Sequence, residues 1–325
     1  MAPPAYDAHV LLVAAFSADS LAWPQLHQRA LERLGCRVTT LDVDGGPGWI
    51  GRLLGRTTLQ QRLDRAIARH APDLVLVLDA PSFPAETAAA LRRESRAKWL
   101  CWAAEELGSE RVAALRAAAP AFDGIFVGGT DAATALDAVG LPRAEYLPSG
   151  CDPSVHRPLR ARNQFRANVV FAGRATPRRE RLLGELAEFG LALWGPGWRR
   201  TALRDYCRGE RIGLLDYVRA YAGASVAVNV HRADGPQGAG CNRRLFELAA
   251  IGVPQVAEGC ADLPRHFEPS SEVLVFEDRA GLRQWVREAL QDSAWAEQLA
   301  AAARRRALGE HTLMHRMVAL LSHAL

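Results

Sequence analysis

Three arginines, Arg174, Arg178 and Arg179, crowd the stretch Phe171-Ala172-Gly173-Arg174-Ala175-Thr176-Pro177 and the residues just after it. The apolar run before Gly173 reads as a strand. Thr176 suits an N-cap and Pro177 the first helical position, so a helix should open here directly after a strand. A helix start presents unpaired N–H groups and the positive end of the helix dipole, which together suit phosphate. Three cations at that end cost electrostatic energy unless an anion joins them. The chemistry this spacing predicts is anion binding; a solvated basic turn is the alternative.

A second segment with chemical content is Asn242–Ile251 (NRRLFELAAI). From Leu245 onward every residue except Glu247 is apolar, so the helix should be largely buried. Asn242 can cap its start, Gly252 suits the C′ position and Pro254 prevents continuation. Arg244 and Glu247 are three apart and share a face. Ionised groups on a buried helix need partners, either each other or a ligand. A carboxylate here could accept two ribose hydroxyls while the helix start faces a phosphate. Between the two segments, Asn229-Val230-His231-Arg232 reads as a strand end running into the glycine-rich loop Gly235–Gly240, which makes His231 either structural or a cleft residue. Leu193–Trp198 (LWGPGW) is a strand-to-turn segment able to bring the backbone around Gly195 and Trp198 close to a flat base.

Two other patterns carry less. Gly46-Pro47-Gly48-Trp49-Ile50-Gly51 satisfies G-x-G-x-x-G, but it follows the second strand and contains a proline, whereas a dinucleotide fingerprint follows the first strand and opens a helix. It reads as a loop. Asp42-Val43-Asp44 has the D-x-D spacing that can hold a divalent metal on a nucleotide diphosphate, yet two aspartates at a strand end arise easily by chance. No metal ligand set is expected.

The elements that must position these residues come in two series. In the first, strands at His9–Phe16, Arg37–Leu41, Asp73–Asp79, Trp99–Trp102 and Gly124–Val127 alternate with helices such as Trp23–Leu34, Leu59–His70, Glu86–Arg93 and Glu110–Ala118. The pattern breaks at Leu147–Pro158, rich in proline, and restarts with strands at Asn168–Ala172, Leu191–Trp194, Val226–Val230, Pro254–Ala257 and Val273–Phe276, interspersed with helices at Arg178–Phe189 and Leu214–Tyr221. Helices, roughly Ala280–Gln291 and Ser293–Leu325, fill the remainder. Strands alternating with helices mean βαβ units and parallel sheets. The expected fold class is α/β, two successive doubly wound, Rossmann-like domains over 1–150 and 151–325, with ligands at the carboxyl ends of the strands.

Composition fits a soluble two-domain chain: 325 residues, 49% hydrophobic and 23% charged. Forty Lys plus Arg against 36 Asp plus Glu give +4, too weak and too dispersed a surplus for a nucleic-acid binder. Lys98 is the sole lysine, so the positive charge is almost all guanidinium, suited to gripping phosphate in a fork. No apolar run is long enough for a transmembrane helix, and the first seven residues do not resemble a signal peptide. The six cysteines are scattered without a C-x-x-C pair and read as reduced thiols of a cytoplasmic protein.

In this order, F-A-G-R, L-W-G-P-G-W, N-V-H-R and N-R-R-L-F-E-L-A-A-I-G-V-P-Q-V resemble the second domain of GT-B glycosyltransferases, and in particular the CgeB-like (spore maturation protein type) group related to retaining family 4. The group's N-x-R-x-F-E-x-x-x-x-G pattern is matched by Asn242, Arg244, Phe246, Glu247 and Gly252. Leu147–Pro158 resembles its interdomain segment, where N-G-V-D commonly precedes F-x-P. The tail around Glu310-His311-Thr312 is similar to its final helix. The resemblance covers 147–325 well and the first half by topology alone.

It implies a GT-B fold with two facing domains, an acceptor-binding one and then a nucleotide-sugar donor-binding one. It implies sugar transfer from a nucleotide diphosphate sugar to a glycan, protein or small-molecule acceptor, without a metal or other cofactor and with retention. Arg174 would neutralise the donor diphosphate, with Arg178 or Arg179 in the place of the usual lysine. Glu247 matches the second glutamate of the E-x7-E motif, which holds the ribose; the first would fall at 239, where this chain has Ala239. In the first domain Glu105 or Glu106, and less closely Asp79, match the place of a catalytic acidic residue or histidine. Ala239 leaves open a non-catalytic GT-B-like protein that binds a nucleotide or a partner, and an epimerase on the same fold is a third reading.

Overall fold

The structure is a computed structural model and describes residues 5–16, 23–43, 58–79, 89–90, 92–93, 95–104, 107, 109–137, 144–231 and 240–325. The chain forms two compact units, the first ending at Ser149 and regaining Leu313–Leu325, the second running from Gly150 to Thr312 apart from Gly238–Gly240. The expected sequence boundary placed the whole tail in the second domain; the last helix belongs with the first unit instead.

The first unit holds β1 (His9–Ala14), β2 (Arg37–Asp42), β3 (Leu74–Leu78), β4 (Lys98–Ala103), β5 (Gly124–Val127) and β6 (Ala144–Tyr146). They form one parallel sheet in the order β2-β1-β3-β4-β5-β6. Every residue of β1, β3 and β5 is buried, as expected of continuous apolar strands covered on both faces. Helices α1 (Trp23–Arg33), α2 (Leu59–His70), α3 (Ser109–Ala118) and α4 (Thr130–Asp137) belong to this unit. Thr58 opens α2 with a capping box, its hydroxyl accepting from Gln61 N at 3.2 Å while Gln61 accepts from Thr58 N at 3.1 Å.

The second unit holds β7 (Ala167–Ala172), β8 (Leu191–Trp194), β9 (Cys207–Gly209), β10 (Ala224–Asn229), β11 (Gln255–Glu258) and β12 (Leu274–Phe276). This sheet too is parallel, in the order β12-β11-β10-β7-β8-β9. Its helices are α5 (Pro177–Gly184), α6 (Leu214–Ala222), α7 (Arg243–Ile251), α8 (Arg279–Gln291) and α9 (Ser293–Glu310). The chain winds outward from β7 through β8 to β9, then returns to lay β10 on the other side of β7. Strand order therefore reverses between β7 and β10, the point at which doubly wound sheets bind ligands.

Expected and observed elements agree closely where the apolar run is long. Three short elements, β6, β9 and α4, have no counterpart in the sequence reading. The helix expected over Arg178–Phe189 ends at Gly184 and continues as the short 3-10 turn Ala187–Phe189. The single final helix is two, α9 and α10 (Leu313–Ala324), broken at His311-Thr312, where Cys151 N–H donates to His311 O at 2.9 Å. Helix α10 packs on α1 and β4, and Arg316 Nε donates to the carbonyls of Pro148 and Ser149 at 2.8 and 3.0 Å.

Candidate ligand site on the second sheet

The two connections after β7 and β8 lie one on the other. Gly173 N–H donates to Trp194 O at 2.8 Å, and Gly173 O accepts from the Trp198 indole at 2.8 Å. Gly195 has φ of 121°, and a Cβ there would lie 2.3 Å from Gly173 O, so only glycine fits. Trp198 itself is fully buried, edge-on to Phe171 at 6.0 Å. Its side chain is a core strut that fixes the loop.

Helix α5 opens as the sequence predicts, with Thr176 Oγ1 accepting from Arg179 N at 3.2 Å and Pro177 in the first turn. The three neighbouring arginines go three ways. Arg179 turns inward over Phe171 and is buried, donating to the carbonyls of Arg174 (3.1 Å), Val230 (2.9 Å) and His231 (3.1 Å). It ties the β7 and β10 connections together through those carbonyls. Arg178 forks onto the buried carboxylate of Glu258 at the end of β11, with Nη1 3.1 Å from Oε2 and Nη2 paired to Oε1. Glu258 also accepts from His231 N at 2.9 Å. Arg174 is exposed, and its guanidinium makes no hydrogen bond or ion pair among the described residues. Of the expected trio, Arg174 is the cation turned outward.

On the β10 side, His231 is buried, its backbone spent on Glu258 and Arg179. It serves the frame. Asn242 caps α7, its Oδ1 accepting from Leu245 N at 3.3 Å and its Nδ2 donating to Asn229 Oδ1 at 3.0 Å. Arg244 reaches across the face of Phe171, donating to Ala172 O at 2.7 Å and Asn229 Oδ1 at 3.4 Å. It thereby bridges the last residues of β7 and β10, at the point where the strand order reverses.

Arg244 and Glu247 do not form the hydrogen-bonded ion pair that their spacing allows, because Arg244 reaches toward the strand ends and Glu247 toward α6. Glu247 is buried and accepts from the Tyr217 hydroxyl through Oε2 at 2.6 Å. Its Oε1 has longer contacts, 3.5 Å to Arg243 Nε and 3.8 Å to His156 Nε2. Burial works to raise the Glu247 carboxyl, but His156, Arg243, the Tyr217 hydroxyl and Arg244 outweigh it and hold it below the ordinary carboxylate range. Burial, reinforced by Glu247, pushes the Tyr217 hydroxyl well above its usual value, so it stays a donor. Burial also lowers His156, against the pull of Glu247 and Asp152. His156 Nδ1 accepts from Asp152 N at 3.0 Å, which leaves the proton on Nε2, facing Glu247. Oε2 is thus committed to Tyr217, while Oε1 has only the longer contacts to Arg243 and His156.

The partners Glu258, Tyr217 and His156 were not reached from the sequence, and Asn229 only as part of the strand end Asn229-Val230-His231-Arg232. His156 had a signal: in His156-Arg157-Pro158 it stands where the resembled pattern has the aromatic of F-x-P. In the first unit, Asp79 is ion-paired with Arg111 and Asp42 accepts from Phe16 N at 3.1 Å. Glu105, Glu106, Asp44, Ala239 and the loops at 46–51 and 232–239 lie outside the described residues. No described helix is long and apolar enough to cross a membrane.

Comparison with known proteins brings two findings. Residues 178–322, which is 145 of 325, match the family model described as glycosyl transferase-like. Among solved structures, sucrose-phosphate synthase from Thermosynechococcus elongatus is 17% identical with a TM-score of 0.70, covering 97% of this chain and 98% of its own. Anabaena HepE in complex with UDP-glucose is 14% identical with a TM-score of 0.67, covering 98% and 100%. The UDP-forming α,α-trehalose-phosphate synthase of Burkholderia xenovorans is 12% identical with a TM-score of 0.61, covering 98% and 99%. A search of curated protein sequences finds no match. At these identities the likeness establishes the fold, which is GT-B.

Proposed function

We propose that this chain is a glycosyltransferase that takes a sugar from a nucleotide diphosphate sugar, without a metal and with retention, in the manner of the CgeB-like group it resembles. The observation that carries the reading is the pairing, on one sheet, of an outward guanidinium at a helix start with a buried carboxylate kept ionised. Arg174 and the first N–H groups of α5 sit beyond the end of β7, where a diphosphate would face them. Glu247 offers Oε1 to ribose hydroxyls while Tyr217 holds Oε2. As the glycosidic bond breaks, negative charge grows on the leaving diphosphate. A cation and a helix start facing it stabilise the transition state more than the ground state.

UDP is the nucleotide to try first, because HepE, which shares the fold, is described in complex with UDP-glucose. The first unit would take the acceptor, with Glu105 as its candidate catalytic carboxylate, and the setting would be cytoplasmic. The test is steady-state turnover of UDP-sugars by the intact protein in EDTA. Glu247→Ala is expected to raise the donor KM strongly and Arg174→Ala to depress kcat. Unchanged kinetics in both variants would overturn the reading. Ala239, in the place of the motif's first glutamate, favours one rival: a protein that binds the nucleotide without transferring a sugar. Saturable UDP binding with no turnover against any acceptor would support that rival.

A further inference from the structure

Two cysteines meet beside this site. Cys241 immediately precedes the Asn242 cap of α7, and Cys260 follows the end of β11 by two residues. Their Sγ atoms are 3.4 Å apart. A disulfide holds its sulfurs at about 2.05 Å, so about 1.4 Å of closure separates contact from bond. The surroundings of the two sulfurs differ. Cys241 is 1% exposed, whereas Cys260 is partly open to solvent. The buried His231 favours the Cys260 thiolate, and the Leu263 N–H donates to the Cys260 carbonyl at 3.2 Å.

We propose that Cys241 and Cys260 are a thiol–disulfide exchange site, in which Cys260 is the sulfur that a small-molecule disulfide reaches and Cys241 the thiol that closes the internal bond. The hydrogen bond from Cys241, helped by the neighbouring His231, outweighs burial and lowers Cys260. Cys241, sharing its proton and buried, is raised. Cys260, the more open of the two sulfurs and the one whose thiolate its neighbours favour, is the one that reacts, and the thiolate is the attacking species. It attacks one sulfur of the oxidant RSSR, forming Cys260–S–S–R and releasing RS⁻. The Cys241 proton passes to that RS⁻. The Cys241 thiolate then attacks the Cys260 sulfur and expels the second RS⁻, which takes a proton from solvent. Two protein sulfurs are oxidised, and RSSR is reduced by two electrons to two thiols. The bond would tie the connection into α7 to the connection out of β11, flanking Asn242 and Glu258.

The experiment incubates the intact protein in buffers graded from reduced glutathione to glutathione disulfide, blocks free thiols by alkylation and maps the peptides. The expected result is a 241–260 cross-link in the folded protein, a glutathione adduct at Cys260 in Cys241→Ser, and an unmodified Cys241 in Cys260→Ser. The inference is overturned if both thiols remain alkylatable in fully oxidising buffer, if the link forms only in denaturant, or if Cys207, the other partly exposed thiol, takes the glutathione instead. The readout is covalent, so this result does not depend on whether the chain transfers a sugar.

Discussion

The two units share a parallel six-stranded sheet and differ in what they bury. Of sixteen buried polar or charged residues among those described, four are in the first unit and twelve in the second. In the first, the ends of β1 and β3 are apolar, and the pair beyond β3, Arg111–Asp79, is a third to a half exposed. In the second, the strand ends around the order reversal are bound together by Arg179, Arg244, Glu258 and Asn229. Buried polar groups are costly unless satisfied. The second unit meets part of that cost at the strand ends, and the result is a frame from which Arg174 faces outward, with the buried Glu247 carboxylate on the same sheet's helix α7. A fold shared by both units does not by itself make a site; the buried polar frame does.

The strongest test of that contrast is removal of Glu258, the carboxylate that accepts from both Arg178 and the His231 N–H. Breaking a buried pair costs about 3–5 kcal/mol, so Glu258→Ala should lose most of that in urea unfolding. The matching change in the first unit, Arg111→Ala, should cost at most about 1 kcal/mol, because exposed pairs contribute little. Equal losses would erase the distinction between the units.

Next in size is Gly195→Ala. The added Cβ meets the Gly173 carbonyl at 2.3 Å, in a left-handed backbone conformation, so the loop must move. Strain of this kind costs about 1–3 kcal/mol, and Gly173 and Arg174 shift with it. Nucleotide affinity should fall along with the melting temperature; a melting temperature like that of the wild type would show that the two connections are not in contact.

Tyr217→Phe should cost about 1.5–3 kcal/mol by removing one hydrogen bond to a buried carboxylate. Its pH signature is more telling. The folded Glu247 carboxyl lies below its unfolded value, so its stabilisation is present above the ordinary range of about 4.3 and is lost as pH falls through the folded value. Losing the Tyr217 bond raises the folded value and moves that loss to higher pH. His156 adds an earlier step. Its folded value is lowered, so the unfolded state gains protons first, and stability declines as pH drops below about 6.5. His156→Gln should remove that step, read as melting temperature against pH; a step that persists would place its origin elsewhere.

Much of this was legible in the sequence, and the gaps have physical causes. Long apolar strands and capped helices announce themselves: Gly124–Val127, Leu191–Trp194 and Leu59–His70 were found to the residue, and Thr176, Asn242 and Gly252 cap as their types predict. Strands β6 and β9 have three residues each, too few for a period, and the break at His311-Thr312 contains neither glycine nor proline. The site was legible as positions and not as pairings. Arg178 and Glu258 are 80 residues apart, Tyr217 and Glu247 are 30 apart, and no local pattern says which buried groups meet. For the same reason, three adjacent arginines looked alike in sequence although the structure gives each a different task.

The smallest expected change in stability belongs to the residue expected to matter most for binding. Arg174 is exposed and unengaged among the described residues, so Arg174→Ala should leave unfolding within about 0.5 kcal/mol of wild type. The direct measurement is calorimetric titration of UDP, in EDTA, into the wild-type protein, Arg174→Ala and Glu247→Ala. The account predicts saturable binding by the wild type, and binding weakened tenfold or more, which corresponds to about 1.4 kcal/mol, in each folded variant. Wild-type UDP affinity in both variants would contradict it.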